Sequence, residues 1–202
     1  MFYKQSIGEI LMVSFRGNLI SPTSVIRDYN FVAVTTNYPT SFVEINPFDP
    51  SDVKALNKVK YIYGNGGADA ALMSDIFQYE GKNTSNVNSR YFVLTEQEDD
   101  FSRIRPSAVL GVTKTTDIAD KGVFVDMIQV NPFYVFSNPY SHLKKCGTSI
   151  IESLKTTFSN RDLWLHSPKS LVNYFKQFGF EIENFPAGNN DVLMKFTNRI
   201  KV

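Results

Sequence analysis

The side chains with the sharpest intrinsic chemistry are few: one cysteine, Cys146, two histidines, His142 and His166, and an acidic run through Glu96, Glu98, Asp99 and Asp100. Cys146 stands at the head of a helical pattern, where a helix terminus can lower a thiol pKa and raise its reactivity. Two histidines and a single cysteine do not make up a zinc-type ligand set, so no metal is expected. The acidic run lies between two strand patterns, and a solvated hairpin tip accounts for it better than a cation site. Gly64-Asn65-Gly66-Gly67 lacks the Lys-Ser/Thr of a phosphate-binding loop and does not fit Gly-x-Gly-x-x-Gly, so it reads as a link between helices. There is no Gly-x-Ser-x-Gly elbow, which sets aside the common hydrolase reading.

These residues need a frame, and the composition bounds it. The chain has 202 residues, 43% of them hydrophobic and 20% charged, with 17 Phe and 10 Tyr. That is one domain with ample aromatic bulk for a core. The net charge of +1 gives no global field for nucleic acid or an anionic membrane. A single cysteine excludes an internal disulfide framework. No stretch reaches the roughly 20 apolar residues of a membrane span, and Met1–Phe15 does not read as a signal peptide. The expectation is a soluble, cytoplasmic, single-domain protein.

Hydrophobic periodicity supplies the elements. Short strands are expected at Glu9–Phe15, Phe31–Thr36 and Ser41–Asn46. Asn46–Asp52 forms a turn that caps a helix over Ser51–Tyr61, and a second short helix covers Ala68–Phe77. Tyr91–Thr95, Ala108–Lys114 and Val123–Val130 read as an antiparallel meander. A helix over Gly147–Phe158 carries Ile150, Ile151, Leu154 and Phe158 on one side. A strand at Asp162–His166 follows, then a helix with Leu171, Val172, Phe175 and Phe178 that stops at Gly179, then a strand at Asp191–Phe196. The fold class is mixed α/β, in the order β-α-α-β-β-β-α-β-α-β from about residue 41.

Three segments in that order carry a family resemblance: Val125–Pro132, with its Val-x-Pro ending; His142–Ile151, a loop running into a helix; and Leu171–Glu181, a helix ending in Gly-Phe. Together they resemble the acyl-CoA N-acyltransferases of the GNAT superfamily (GCN-five-related N-acetyltransferases). The resemblance covers residues 41–196 and leaves residues 1–40 as an N-terminal elaboration of one domain. It implies a mostly antiparallel central sheet flanked by helices and splayed between the family's fourth and fifth strands. It implies acetyl-CoA as cosubstrate and transfer of acetyl to a primary amine on a small molecule, a protein or an aminoacyl group. A homodimer is compatible with it.

The resemblance also assigns roles. The main chain of Ile128 and Val130 meets the pantetheine arm by strand addition. The pyrophosphate lies against His142 and the amides of Lys144, Lys145, Cys146, Gly147, Thr148 and Ser149, at the positive end of a helix. Asp126, four residues before Val130 on the same strand face, is the candidate general base, and the Val130 amide polarises the carbonyl. Cys146 falls on a variable position between the family's two glycines and reads as inert; His166, at the end of its strand, reads as structural. The sequence departs from the family in two places. Lys145 stands where the first glycine belongs, which is costly if that position needs positive φ. Phe175 stands where the thiolate acid, a tyrosine, belongs; Tyr174 is the replacement candidate, although one residue rotates a helical side chain by about 100°. These departures motivate an alternative, a GNAT-fold interaction protein with impaired catalysis. A third reading is a toxin-like acetyltransferase of charged tRNA using a local patch of Lys144, Lys145, Lys155, Lys169 and Lys176, which the near-neutral charge disfavours.

Overall fold

The computed structural model describes residues 18–28, 35–46, 49–50, 52, 89–96, 108–134, 143–183 and 191–198. β1 (Asn18–Asp28) and β2 (Thr35–Ile45) form a long antiparallel pair, and β3 (Ser89–Glu96), β4 (Val109–Asp117) and β5 (Val123–Val130) extend it as a meander. The chain then returns to the far edge as β6 (Leu143–Lys144), which pairs with Ile26 and Arg27 of β1. Helix α1 (Cys146–Thr157) leads to β7 (Leu163–Pro168), and the short helix α2 (Val172–Lys176) to β8 (Glu181–Ile182) and β9 (Asp191–Phe196). The described strands make one sheet in the order β6-β1-β2-β3-β4-β5-β7-β9-β8. Every pairing is antiparallel except β5 with β7.

α1 and α2 bury their apolar sides against one sheet face. Ile150, Ile151, Leu154, Phe158 and Phe175 join Phe42, Phe92, Leu94, Val125 and Leu165 in one core. Gly111 of β4 lets the helix approach: a Cβ there would lie 2.7 Å from Ile150 Cδ1. Phe42 and Phe92 stack at 5.1 Å, and Phe158 meets Phe92 edge-on at 6.0 Å. The Arg90 guanidinium closes this cluster, 5.1 Å from both the Phe92 and Phe158 rings and paired twice at 2.7 Å with Glu44.

Three sequence expectations change here. The strand expected at Ser41–Asn46 begins earlier, since Thr35–Ile45 is continuous through Pro39, and residues 31–34 of the expected Phe31–Thr36 strand lie outside the described residues. Among the described residues β3 pairs with β2 only from Thr40 onward, so no described strand pairs with Pro39 on that side, which suits a residue without an N–H. Residues 18–28, whose Ser-Pro-Thr-Ser reads as punctuation, are β1. The late helix is shorter than its pattern, with a 3-10 turn at Lys169–Leu171 ahead of it, and the chain turns at Gly179 with φ 86°. At the expected turn, Asp52 is buried and accepts the Asn46 amide at 2.8 Å, and Pro50 and Asp52 are helical. The rest of that helix, the Ala68–Phe77 helix, the Glu9–Phe15 strand and the 97–100 hairpin tip lie outside the described residues.

Candidate active site

The site forms where β5 parts from β7. The two strands pair in parallel at Val123, Phe124 and Val125, and the ladder then stops. β5 continues to Val130 against β4 alone. Asn131 fixes that end: its amide donates to the Leu110 carbonyl at 2.9 Å and its buried Nδ2 to the Val109 carbonyl at 3.1 Å. Its Oδ1 accepts the Phe133 amide at 3.0 Å, so both halves of the side chain are used. Because the Asn131 N–H points to β4, strand alternation turns the main-chain groups of Ile128 and Val130 toward the gap. Gln129 Nε2 donates to the Val130 carbonyl at 3.0 Å. Among the described residues no strand pairs with this edge.

A bulge marks where the gap begins. Val125 pairs with Thr115 and Met127 with Lys114, leaving Asp126 as the extra residue. The bulge reverses the alternation: Val123 and Val125 face the α1 core, and beyond it so do Ile128 and Val130. Asp126 therefore does not share a face with Val130, as uninterrupted spacing required. It points to the opposite face, where its Oδ2 accepts the Thr116 hydroxyl at 2.7 Å. Desolvation raises the Asp126 carboxyl above its ordinary range, against the Thr116 bond and the Lys114 charge, which lower it. The carboxyl group is nonetheless reachable from solvent.

The head of α1 borders the same gap. Lys145 is its N-cap in the left-handed region, at φ 65° and ψ 22°, with no side-chain cap. A non-glycine residue rarely sits there. The Ser149 amide already donates to the Lys145 carbonyl at 2.9 Å, so Ser149 drops out of the expected anion-binding amides. Lys144 lies in β6, with Ile26 of β1 as its register partner. The amides of Lys145, Cys146, Gly147 and Thr148 have no intrahelical acceptor. Cys146 is buried, and desolvation pushes its thiol up to about 12, which removes it as a nucleophile. His142 lies outside the described residues.

Tyr174 reaches this junction from α2. A Cβ on Gly147 would lie 2.9 Å from the Tyr174 hydroxyl and 3.6 Å from Val130 Cγ2, so glycine lets the three meet. Phe175 instead goes into the core against Phe180, with ring centroids 5.9 Å apart. The 3-10 turn before α2 advances about 120° per residue and not about 100°, which shifts the face that each later residue presents. Burial raises the Tyr174 phenol above its ordinary 10.0, with the Thr148 hydroxyl opposing. It is therefore a protonated donor at neutral pH.

Solved structures share this fold. A Lactobacillus plantarum protein assigned as an N-acetyltransferase superposes with a TM-score of 0.52 at 13% identity, over 78% of this chain and 97% of its own. A Desulfovibrio desulfuricans protein assigned to the GNAT family does so at 0.50 and 12% identity, over 79% and 99%. A spermidine N-acetyltransferase SpeG chimera from Vibrio cholerae and hSSAT gives 0.50 at 13%, over 79% and 95%. The fold is a GNAT fold. No family sequence model matches the chain, and no curated protein matches it by sequence. In GNAT terms β5 and β7 are the fourth and fifth strands, and their parting is the expected splay.

The remaining expected residues fall away from the gap. His166 is exposed on the face opposite α1, with its ring edge-on to Phe124 at 5.3 Å. Lys155 pairs with Glu152 at 3.2 Å and lies 4.7 Å over the Phe196 ring, so it does not belong to a free basic patch. No group of three or more His, Cys, Asp or Glu among the described residues is placed to hold a metal, and no described helix is long and apolar enough to cross a membrane. Asn131 was not singled out in the sequence; its signal is a polar residue between Val130 and Pro132 at the end of an apolar strand.

Proposed function

We propose that this protein is an acetyl-CoA-dependent N-acetyltransferase acting on a primary amine. One observation carries the reading: beyond Val125, β5 turns toward a gap an edge with which no strand pairs among the described residues, and the N-terminal amides of α1 and the Tyr174 hydroxyl border that gap. The residues fit acetyl-CoA. The edge at Ile128 and Val130 suits the amide groups of a pantetheine arm. The amides of Lys145 to Thr148 and the Lys145 ammonium suit a diphosphate. Gly147 keeps the space between α1, Val130 and Tyr174 free of a side chain.

Acetyl-CoA brings the activated thioester, and the chain's own groups do the rest. The Val130 N–H, facing the gap, polarises the carbonyl. Asp126 takes the proton from the attacking amine, and its raised pKa makes it a better base than a fully solvated aspartate. Tyr174 gives its proton to the departing sulfur. Base and acid stand on opposite sheet faces, which is workable because the sheet is open between β5 and β7. The amine thus approaches from the face opposite α1. The proposed compartment is the cytoplasm, where acetyl-CoA is available.

The test is release of free CoA thiol from acetyl-CoA across a panel of primary amines, run beside the Asp126→Ala protein. Amine-dependent release that falls in the variant supports the reading. Acetyl-CoA binding without any amine-dependent release returns the protein to the interaction-module alternative.

A further inference from the structure

Asp126 is the residue of β5 left without a ladder partner on β4, yet its carboxyl is held by a chain of hydroxyls. Thr116 Oγ1 donates to Asp126 Oδ2 at 2.7 Å, and Ser89 Oγ lies 3.2 Å from Thr116 Oγ1. A carboxylate only accepts, so the single Thr116 proton is committed to Asp126. Ser89 is then the donor to Thr116. Sheet register sets every link: Ser89 pairs with Thr116 between β3 and β4, and Thr116 pairs with Phe124, two residues before Asp126.

We propose that Thr116 and Ser89 are positioning residues that hold the Asp126 carboxylate with Oδ2 occupied, so that Oδ1 is the oxygen that takes the amine proton. This rests on Asp126 as the base. A solvent-reachable carboxylate on a bulge would otherwise rotate freely, and a base works only within hydrogen-bond reach of its proton. In the step, the amine N–H bond breaks and an O–H bond forms on Oδ1. Thr116 keeps its own proton throughout, and the carboxylate charge is neutralised. The described charged or titratable groups on this face include Lys114 on β4, Tyr91 on β3 as the ladder partner of Lys114, His166 on β7 beside Phe124, and Lys195 on β9, which is the register partner of Trp164 and is ion-paired to Asp162. Lys114 favours the ionised carboxylate, as the Thr116 bond does.

The test is a carbon-detected NMR titration of protein labelled with carbon-13 at aspartate carboxyls, with acid-limb kinetics in parallel. Thr116→Val removes the hydroxyl at nearly constant volume in a β-branched residue, so the strand is kept. The Asp126 midpoint should rise by about one pH unit in Thr116→Val, since a lost hydrogen bond to a carboxylate favours its neutral form. Thr116→Ser should restore the wild-type midpoint, and Ser89→Ala should give a smaller rise. An unchanged midpoint in a folded Thr116→Val protein overturns the proposal. Should Thr116→Val not fold, Ser89→Ala decides in the same way. The second readout is turnover with acetyl-CoA and n-butylamine: its acid limb should move with the NMR midpoint. A midpoint that moves without the acid limb shows the hydroxyl chain to be real and the base assignment wrong, which separates the two failures.

Discussion

Replacing Lys145 with glycine should make the protein more stable and a poorer binder of CoA. Lys145 sits at φ 65° and ψ 22°, a left-handed conformation that costs a side-chain-bearing residue about 1–2 kcal/mol. Glycine removes that cost and gives back about 0.4–1 kcal/mol through the greater freedom of its unfolded chain. Lys145 is exposed, so no packing is lost. The net gain is about 0.5–1 kcal/mol, or a rise in Tm of roughly 1–4 °C for a chain of this size. The variant also loses an ammonium beside the free amides of α1. At an exposed position that is about 1 kcal/mol, or roughly a five-fold weaker Kd for CoA. Lys145→Ala separates the effects: it keeps the strained backbone and loses the charge, so its Tm should match wild type while its CoA affinity falls as in the glycine variant. Calorimetric melting of the free protein and titration with CoA read the two quantities independently. A glycine variant melting at or below the wild-type temperature would refute the strain argument. Unchanged CoA affinity in both variants would refute the role of the ammonium.

Other consequences can be checked with single variants. Tyr174→Phe should lower acetyl-transfer turnover about 100-fold with CoA affinity retained, as expected for loss of a general acid. Any alkaline fall from this group in the wild-type protein should have its midpoint above 10.0, because burial raises its pKa. Asn131→Ala strips the Val109 carbonyl and the Phe133 amide of their partners, and should destabilise the protein by about 1–3 kcal/mol in urea unfolding. Asp117 pairs bidentately with Arg161, which also donates to the Ala119 and Gly122 carbonyls, and this pairing lowers its pKa from 3.8 to about 2. A depressed carboxylate pKa contributes stability that is full above the unfolded value and is lost as pH falls from about 4 toward 2. Asp117→Asn should therefore flatten the fall in stability across that window, measured by acid titration of the far-UV signal.

What the sequence disclosed follows from the range of the interactions involved. Val123–Val130 and Asp191–Phe196 are read to the residue, because their apolar patterns are bounded by clear turn chemistry. β1 was hidden because Ser21-Pro22-Thr23-Ser24 has loop chemistry, and its strand character comes from pairing with residues 35–44. The Asp126 bulge is invisible in Val-Phe-Val-Asp-Met-Ile-Gln-Val, since an extra residue exists only relative to β4. That is why the spacing placed Asp126 on the wrong face. Likewise periodicity does not encode the 3-10 turn ahead of α2, nor that Phe175 is buried while the Tyr174 hydroxyl lies beside Gly147. By contrast, positive φ at Lys145 was foreseeable from a glycine position alone, because that backbone shape is local.

The central claim is that the parting of β5 and β7, with the head of α1, is an acetyl-CoA site. Isothermal titration of the purified protein with acetyl-CoA, and with CoA in parallel, tests it most directly. One site per chain with micromolar affinity for both ligands is expected. An absence of binding at millimolar ligand would contradict it.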